Sequence, residues 1–242
     1  MSSMPMLSVQ QLCMRFGGLK ALSNVTMDVR RGEFVGIIGP NGAGKTTLFH
    51  AISGILVPTS GTVRVDGKEM QGKAPHAFCR AGVARTFQTP RIFGDMTVRD
   101  NVRFANTFGS PEKDASLVAQ VIEETQITGL AAERAGDLPP ARQRQLEIAM
   151  ALATTPRLLL LDEVAAGLTE TEVEDVARLI AALRDRYGLT VVWIEHAVGT
   201  LMRTVDRVVV LNFGELVADG PPSQVAADPR VINAYLGDEV ME

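Results

Sequence analysis

One segment, Gly39–Thr46, constrains the fold of this chain more than any other. It reads Gly-Pro-Asn-Gly-Ala-Gly-Lys-Thr and fits the pattern G-x-x-x-x-G-K-[ST], whose glycines let backbone N–H groups point inward at phosphate oxygens. The apolar run Glu33–Ile38 before it predicts a buried strand, and Lys45–Ile55 after it predicts a helix with Gly54 near its end. Strand, glycine-rich loop and helix are the setting that the pattern requires, so the segment predicts a phosphate site.

Two side chains at the end of this loop carry ligand chemistry. Lys45 would place a cation beside the β- and γ-phosphates of a nucleotide, and the helix N-terminus adds partial positive charge. Thr46 offers a hydroxyl oxygen of the kind that Mg²⁺ accepts as a ligand. The loop therefore predicts a nucleotide with its magnesium ion.

Acidic side chains follow a second apolar strand. Leu158–Leu161 ends in Asp162 and Glu163, and a buried parallel strand would deliver both carboxylates to the sheet edge where ligands bind. We expect Asp162 to hold Mg²⁺ and Glu163 to act as the base, or the orienting group, for an attacking water. Without the loop, two solvated acids at a strand end would be the simpler interpretation. His196 follows the strand Thr190–Ile194 at the same edge, where it would contact the γ-phosphate, although a histidine at a strand end is more often structural.

Strand and helix patterns alternate along most of the chain, which predicts an α/β fold with a mainly parallel sheet covered on both faces. The other predicted strands are pieces of Leu7–Met27 around a turn at Gly17-Gly18, Thr62–Asp66 and Arg207–Leu211. The other predicted helices are Ser116–Glu124, Arg142–Ala153, Glu172–Tyr187 and a last stretch from Pro221-Pro222 to Leu236. We expect one domain over residues 1–242: a nucleotide-binding lobe with an antiparallel β subdomain (1–88), an inserted helical lobe (about 89–155), and a return to the first lobe with a C-terminal cap (156–242).

Composition excludes several function classes. The chain has 242 residues, with 24 basic against 28 acidic side chains and a net charge of −4, which argues against a nucleic-acid partner bound through phosphate contacts. Cys13 and Cys79 make neither a disulfide framework nor a metal cluster, so a reducing compartment is expected. Residues 1–12 lack the pattern of a signal peptide, and no apolar run is long enough to span a bilayer. A role at a membrane would therefore come through partners.

Six motifs in this order resemble those of the ATP-binding subunits of ABC transporters, over essentially the whole chain. The resemblance implies that Phe16 stacks on adenine, that Gln88 is a catalytic and metal-binding glutamine, and that Ala166-Gly167-Leu168 is the D-loop that follows the catalytic acid. It also implies that the loop contacts ATP through Gly39, Pro40, Asn41, Gly42, Ala43, Gly44, Lys45, Thr46 and Thr47. Asp162, Glu163 and His196 correspond to the magnesium aspartate, the catalytic glutamate and the switch histidine of that family.

Finer features look like the ATPases of branched-chain amino-acid uptake systems. They are Arg85-Thr86-Phe87-Gln88, Met96-Thr97-Val98, Ala165–Leu168, Ile194-Glu195-His196, Leu211–Glu215 and Ala234–Gly237. The resemblance implies a second ATPase subunit, two transmembrane permease subunits and, indirectly, a substrate-binding protein, with this chain at the cytoplasmic face of the membrane. Importers of urea, short amides and aromatic acids share much of this pattern, so the transported substrate stays open.

The chain departs from the family at its signature segment, Leu138–Arg142, which usually reads close to L-S-G-G-Q and covers the partner's γ-phosphate. Pro139 replaces the serine, Pro140 has no N–H, and Ala141 adds a Cβ where glycine lets backbone approach phosphate. Arg142 adds a charge that would substitute in part if its side chain pointed inward. A smaller departure is Val164, in place of the usual proline. We therefore expect an asymmetric pair in which this chain's catalytic residues work with a partner's intact signature segment.

Three other function classes stay open at this point. The first is an ATP-binding regulatory subunit with little turnover, which the signature segment favours and which Glu163 and His196 oppose. The second is a soluble ATPase of repair or translation, and the third is an exporter ATPase. In the importer interpretation, residues 87–107 should include the surface that contacts the permease. Phe93, Met96, Phe104 and Phe108 are candidates for its apolar contacts, with ordinary core packing as the alternative.

Overall fold

A six-stranded sheet forms the centre of the molecule in the computed structural model, which describes residues 4–110, 114–195 and 197–239. The strands in chain order are β1 (Leu7–Phe16), β2 (Leu19–Val29), β3 (Phe34–Ile38), β4 (Ser60–Val65), β5 (Lys68–Glu69), β6 (Val83–Arg85), β7 (Leu158–Asp162), β8 (Thr190–Ile194), β9 (Arg207–Asn212) and β10 (Glu215–Gly220). The central sheet has the order β10-β9-β3-β8-β7-β6, and its neighbouring strands are parallel except for β10 against β9.

Helices cover this sheet and join its strands. They are α1 (Lys45–Ile52), α2 (Pro75–Arg80), α3 (Val98–Gly109), α4 (Ala115–Glu124), α5 (Pro140–Leu152), α6 (Glu170–Tyr187), α7 (Val198–Thr204), α8 (Pro222–Ala226) and α9 (Pro229–Glu239). Strands β3, β7 and β8 are buried along their whole length, which explains their continuous apolar sequences. The expected α/β fold with a mainly parallel sheet is confirmed.

The two faces of the central sheet belong to two different cores. Phe34, Leu159 and Trp193 face one core with helices α3 to α6, and Phe34 stacks on Trp193 at 5.9 Å between ring centroids. Ile37 and Leu160 face the other core, which includes α1 and the four-stranded antiparallel sheet β2-β1-β4-β5. Because strand residues alternate between faces, each short apolar strand supplies both cores.

Helix α1 is shorter than predicted, because it ends at Ile52 rather than at Ile55. Gly54 has a φ of 77°, and the Ile55 N–H donates to His50 O at 2.9 Å. This is the Schellman motif, in which a left-handed glycine stops the helix and satisfies its last carbonyl groups. The predicted last helix is in fact two, α8 and α9, and it continues beyond Leu236 to Glu239.

The helical segment between β6 and β7 contains α3, α4 and α5, which pack on one another. Thr97 caps α3 by accepting the Asp100 N–H, and Asp114 caps α4 by accepting the Ser116 N–H. Six of the described strands and α-helices had no prediction of their own: β5, β6, β10, α2, α3 and α7, although α3 lies in the expected helical lobe. Strand β6 has three residues and α2 has six, too few to show a period in the sequence.

Candidate nucleotide site

The glycine-rich loop leaves the end of β3 and turns into α1. Gly42 and Gly44 have φ values of 76° and 100°, which residues with a Cβ rarely adopt. A Cβ on Gly44 would lie 2.7 Å from Ala21 O, so space as well as conformation requires glycine there. The loop therefore presses closely against β2 while its glycine backbone bends around the start of the helix.

Lys45 lies inside this loop. Its Nζ donates to Gly39 O at 2.6 Å and to Pro40 O at 2.9 Å, and the residue is only 5 % exposed. Burial lowers the pKa of Lys45, and the charge of Glu163 opposes this shift. The ammonium group is thus fixed at the inner surface of the loop, where a phosphate would meet it.

A cleft of about 400 Å³ opens in front of the loop. Its lining combines residues of the loop and the start of α1 with residues from β1, β2, the segment after β7 and the β9–β10 turn: Phe16, Leu19, Lys20, Ala21, Asn41, Gly42, Ala43, Gly44, Lys45, Thr46, Thr47, Glu163 and Phe213. Phe16 is 47 % exposed at the cleft. The structure therefore brings together the predicted base contact, most of the loop and the predicted catalytic acid.

The two carboxylates after β7 have different partners. Asp162 pairs with Arg85 at 2.6 Å, in a bridge that is nearly excluded from solvent. Glu163 accepts from Gln88 Nε2 at 2.6 Å, and its own N–H donates to Ile194 O at 2.9 Å. Among the described residues, Asp162 and Gln88 do not line the cleft directly, whereas Glu163 does. Gln88 is connected to the cleft by its hydrogen bond to Glu163.

A buried ion pair on α5 holds the loop that carries Gln88. Arg144 donates to Phe87 O at 2.6 Å and to Gln88 O at 2.8 Å. Glu147 pairs with Arg144 at 2.7 Å and accepts the N–H groups of Phe87 and Arg91 at 3.1 and 3.0 Å. Burial raises the pKa of Glu147, although these hydrogen bonds and the charge of Arg144 oppose the shift. Helix α5 thus fixes the backbone on both sides of Gln88.

The signature segment starts the same helix. Pro139 is its N-cap and Pro140 its first residue, so the helix begins two residues before the predicted Arg142 although both prolines lack an N–H. The N–H groups of Arg142 and Gln143 both donate to Pro139 O. The Arg142 guanidinium donates to Gln145 Oε1 at 2.7 Å and to Gln126 O at 3.4 Å, so it folds back on its own chain.

Sequence reasoning missed several residues of this region. Arg85 lies in a quoted motif, but nothing indicated that it would pair with Asp162. Arg144 and Glu147 show the i, i+3 spacing of an ion pair, which is too common to single them out. His196 lies outside the described residues. The preceding Glu195 is buried and accepts from Ala165 N–H at 3.1 Å and from Trp193 Nε1 at 3.2 Å.

Comparison with known proteins agrees with this geometry. Residues 22–166 match the family model described as ABC transporter. The chain belongs to the ABC transporter family. Members of this family couple ATP hydrolysis to transport, so the chain is an ATPase subunit with an ABC ATPase fold. Residues 215–240 also match a model described as branched-chain amino acid ATP-binding cassette transporter.

Relatives and solved structures cover nearly the whole chain. It is 44 % identical to the high-affinity branched-chain amino acid transport ATP-binding protein BraF of Pseudomonas aeruginosa, over 98 % of this chain and 99 % of that protein. It is 39 % identical, with the same coverage, to LivG of Escherichia coli, which has the same description. The ADP conformation of MJ1267, an ATP-binding cassette of an ABC transporter, superposes with a TM-score of 0.88 at 30 % identity, covering 97 % of this chain and 100 % of that one. Within the described ranges, no helix has the length and apolar character required to cross a bilayer.

Proposed function

We propose that this ABC ATPase energises an importer of branched-chain or related amino acids. The observation that carries the proposal is the 44 % identity to a branched-chain amino acid transport protein over nearly the whole of both chains. The match of residues 215–240 to a branched-chain cassette model supports the same substrate class from a segment far from the phosphate loop in sequence. In this role the chain would bind peripherally at the cytoplasmic face of the membrane, through permease subunits, and a substrate-binding protein would supply the amino acid.

Hydrolysis would use the residues gathered at the cleft. Loop N–H groups and Lys45 would bind the phosphates of ATP, and Phe16 would contact the base. Thr46 and Asp162 offer the oxygen donors that Mg²⁺ prefers, and a bound ion would neutralise charge on the phosphates. Glu163 would orient the attacking water and accept its proton, with Gln88 releasing Glu163 Oε2 to do so. The family resemblance assigns His196 to the γ-phosphate and to holding the attacking water.

An apolar groove next to the Gln88 loop suits a permease contact. It encloses about 380 Å³ and is lined by residues that include Ile55, Phe87, Ala105 and Met150. Beside it, three aromatic rings on and before α3 form an exposed ladder: Phe93, Phe104 and Phe108, with centroids 4.7 and 4.6 Å apart. These three side chains are exposed, which argues against the core alternative, while Met96 is half-buried. We propose that the permease packs on this ladder and groove.

The signature segment supports the proposal that this chain functions in an asymmetric pair with a second ATPase subunit. Pro139 and Pro140 have no N–H, and the Arg142 N–H donates to Pro139 O. The first helical turn therefore has few N–H groups left to bind a partner's γ-phosphate. A heterodimer with a second ATPase subunit would then have one competent site. It would combine Glu163 of this chain with an intact signature segment from the partner. The same segment also supports the alternative of an ATP-binding subunit with little turnover.

Turnover of ATP by the purified chain over a series of protein concentrations tests this function, with Glu163→Gln as the blank. We expect ATP binding with turnover close to the blank, and a large increase when the partner ATPase and the permeases are added in proteoliposomes. Leucine with its binding protein should stimulate that turnover. Stimulation by urea or benzoate instead would overturn the substrate class. Turnover that stays at the blank in the complete assembly would favour the regulatory alternative.

A further inference from the structure

The apolar part of the nucleotide cleft contains an aromatic side chain that the mechanism does not use. Phe213 lies in the two-residue turn between β9 and β10, and it lines the cleft together with Phe16 and Leu19. Phe16 comes from the end of β1, so the two rings reach the cleft from separate hairpins. The loop amides and Lys45 occupy the phosphate end, which leaves these apolar groups for the less polar part of a ligand.

Folding alone does not explain a phenylalanine at this position. Phe213 is 77 % exposed, so its ring gains little from burial. Its φ is 45° and that of Gly214 is 77°, as in a type I′ turn, whose first position favours asparagine, aspartate or glycine. The side chain therefore neither packs nor suits its backbone, which indicates that it serves a contact with something outside the chain.

The turn is fixed to the phosphate loop. The Gly214 N–H donates to Ala43 O at 3.0 Å, and the Ser23 N–H donates to Gly214 O at 2.8 Å. A Cβ on Gly214 would lie 2.6 Å from Ala21 O, so the turn also presses on β2. Phe213 consequently has a defined position relative to bound phosphates, as a base contact requires.

We propose that Phe213 is a second aromatic contact for the base of the bound nucleotide, in addition to Phe16. The proposal rests on the nucleotide site described above. Every nucleobase has an apolar face that stacks on aromatic rings, so a second ring adds affinity for the base and none for the phosphates. The preference of the site for ATP over a base-free polyphosphate would then depend on a side chain at the β9–β10 turn.

The test compares Phe213→Asn with the unchanged chain for binding of ATP and of inorganic tripolyphosphate, both with Mg²⁺. Asparagine suits the type I′ turn, so the variant should fold, and its melting temperature without ligand should not fall. We expect the Kd for ATP to rise about tenfold, the size of one base–aromatic contact, and the Kd for tripolyphosphate to stay the same. Phe213→Tyr should restore ATP affinity.

Val57→Asn is the matched control, because it replaces another exposed apolar side chain outside the cleft. It should change neither Kd. An unchanged Kd for ATP in Phe213→Asn would overturn the proposal. Equal weakening of ATP and tripolyphosphate would also overturn it, since the turn would then act through the phosphate loop. Lys45→Ala tests the nucleotide site separately from the role of Phe213. If this variant binds ATP as tightly as the unchanged chain, the assignment of the nucleotide site is wrong.

Discussion

Glu163 has a backbone conformation that costs folding free energy. Its φ of 48° is in the left-handed region, where a Cβ clashes with the following carbonyl group at a cost of roughly 1–2 kcal/mol. The hydrogen bonds from Glu163 N–H to Ile194 O and from Ala166 N–H to Glu163 O hold it there. This conformation lets the residue after β7 turn its carboxylate into the cleft that Lys45 also lines. Backbone strain at Glu163, the proposed catalytic acid, is thus offset by hydrogen bonds to the surrounding structure.

This strain predicts the order of stability of two inactive variants. We expect Glu163→Gly to have a free energy of unfolding about 1 kcal/mol higher than Glu163→Ala, because both remove the carboxylate and only glycine relieves the backbone. Urea unfolding without nucleotide measures the difference. Ala181→Gly, in the middle of α6, is the control. It should lower the free energy of unfolding by about 1 kcal/mol relative to the unchanged chain, because glycine there has no strain to relieve. Lower stability of Glu163→Gly than of Glu163→Ala would show that the backbone at this position is not strained.

At the scale of elements, α5 connects the signature segment with the loop that carries Gln88. The helix begins at the signature segment, and Arg144 and Glu147, about one and two turns later, hold the backbone around Gln88. Gln88 in turn donates to Glu163. A shift of α5 would therefore move Gln88, which donates to the proposed catalytic acid Glu163. The ion pair is a positioning device between helix and loop, because neither residue lines the cleft itself.

Removing one member of this pair should be costly. Glu147→Ala leaves the buried Arg144 charge without its partner and removes the acceptor of two N–H groups, so we expect a loss of about 3–5 kcal/mol in the free energy of unfolding. Urea unfolding measures it, with Glu123→Ala on the exposed face of α4 as a control that should change stability by less than about 0.5 kcal/mol. Glu147→Gln, which keeps an acceptor oxygen, should recover part of the loss. A change as small as that of the control would mean that the pair does not hold the loop.

The elements that the sequence predicted are those with a long or strongly apolar pattern. Strands β3, β7, β8 and β9 and the helix α6 were found because burial on both faces, or one apolar face, leaves a clear period. Strand β6 was missed because it is held by its parallel pairing with β7, which the sequence of three residues does not show. At the site, the glycine-rich loop and Glu163 were predicted from local motifs. The Arg85–Asp162 pair and the position of Phe213 at the cleft were not, since the residues concerned lie 77 residues apart or in another hairpin.

At the scale of the whole molecule, the nucleotide cleft and the signature segment belong to different surfaces. The phosphate loop, Glu163 and Phe213 line one cleft, whereas Pro139 and Pro140 are exposed at the start of α5 and do not line it. A change in the signature segment can therefore leave the chain's own nucleotide cleft intact. Under the proposed asymmetric pairing, two copies of this chain would make two impaired sites, whereas a mixed pair would make one competent site.

Restoring the signature segment should make the chain active as a homodimer. In Pro139→Ser, Pro140→Gly, Ala141→Gly, the first turn of α5 regains two N–H groups and a hydroxyl. We expect turnover at high protein concentration to rise at least about tenfold, since one hydrogen bond to a charged oxygen contributes roughly 1.5–3 kcal/mol. ATP affinity measured at low concentration should not change, because the monomer's own cleft is untouched. The same triple change combined with Glu163→Gln is the control and should stay inactive. If the unchanged chain hydrolyses ATP as fast as the restored one, Pro139, Pro140 and Ala141 do not limit turnover, and an asymmetric pair is unnecessary.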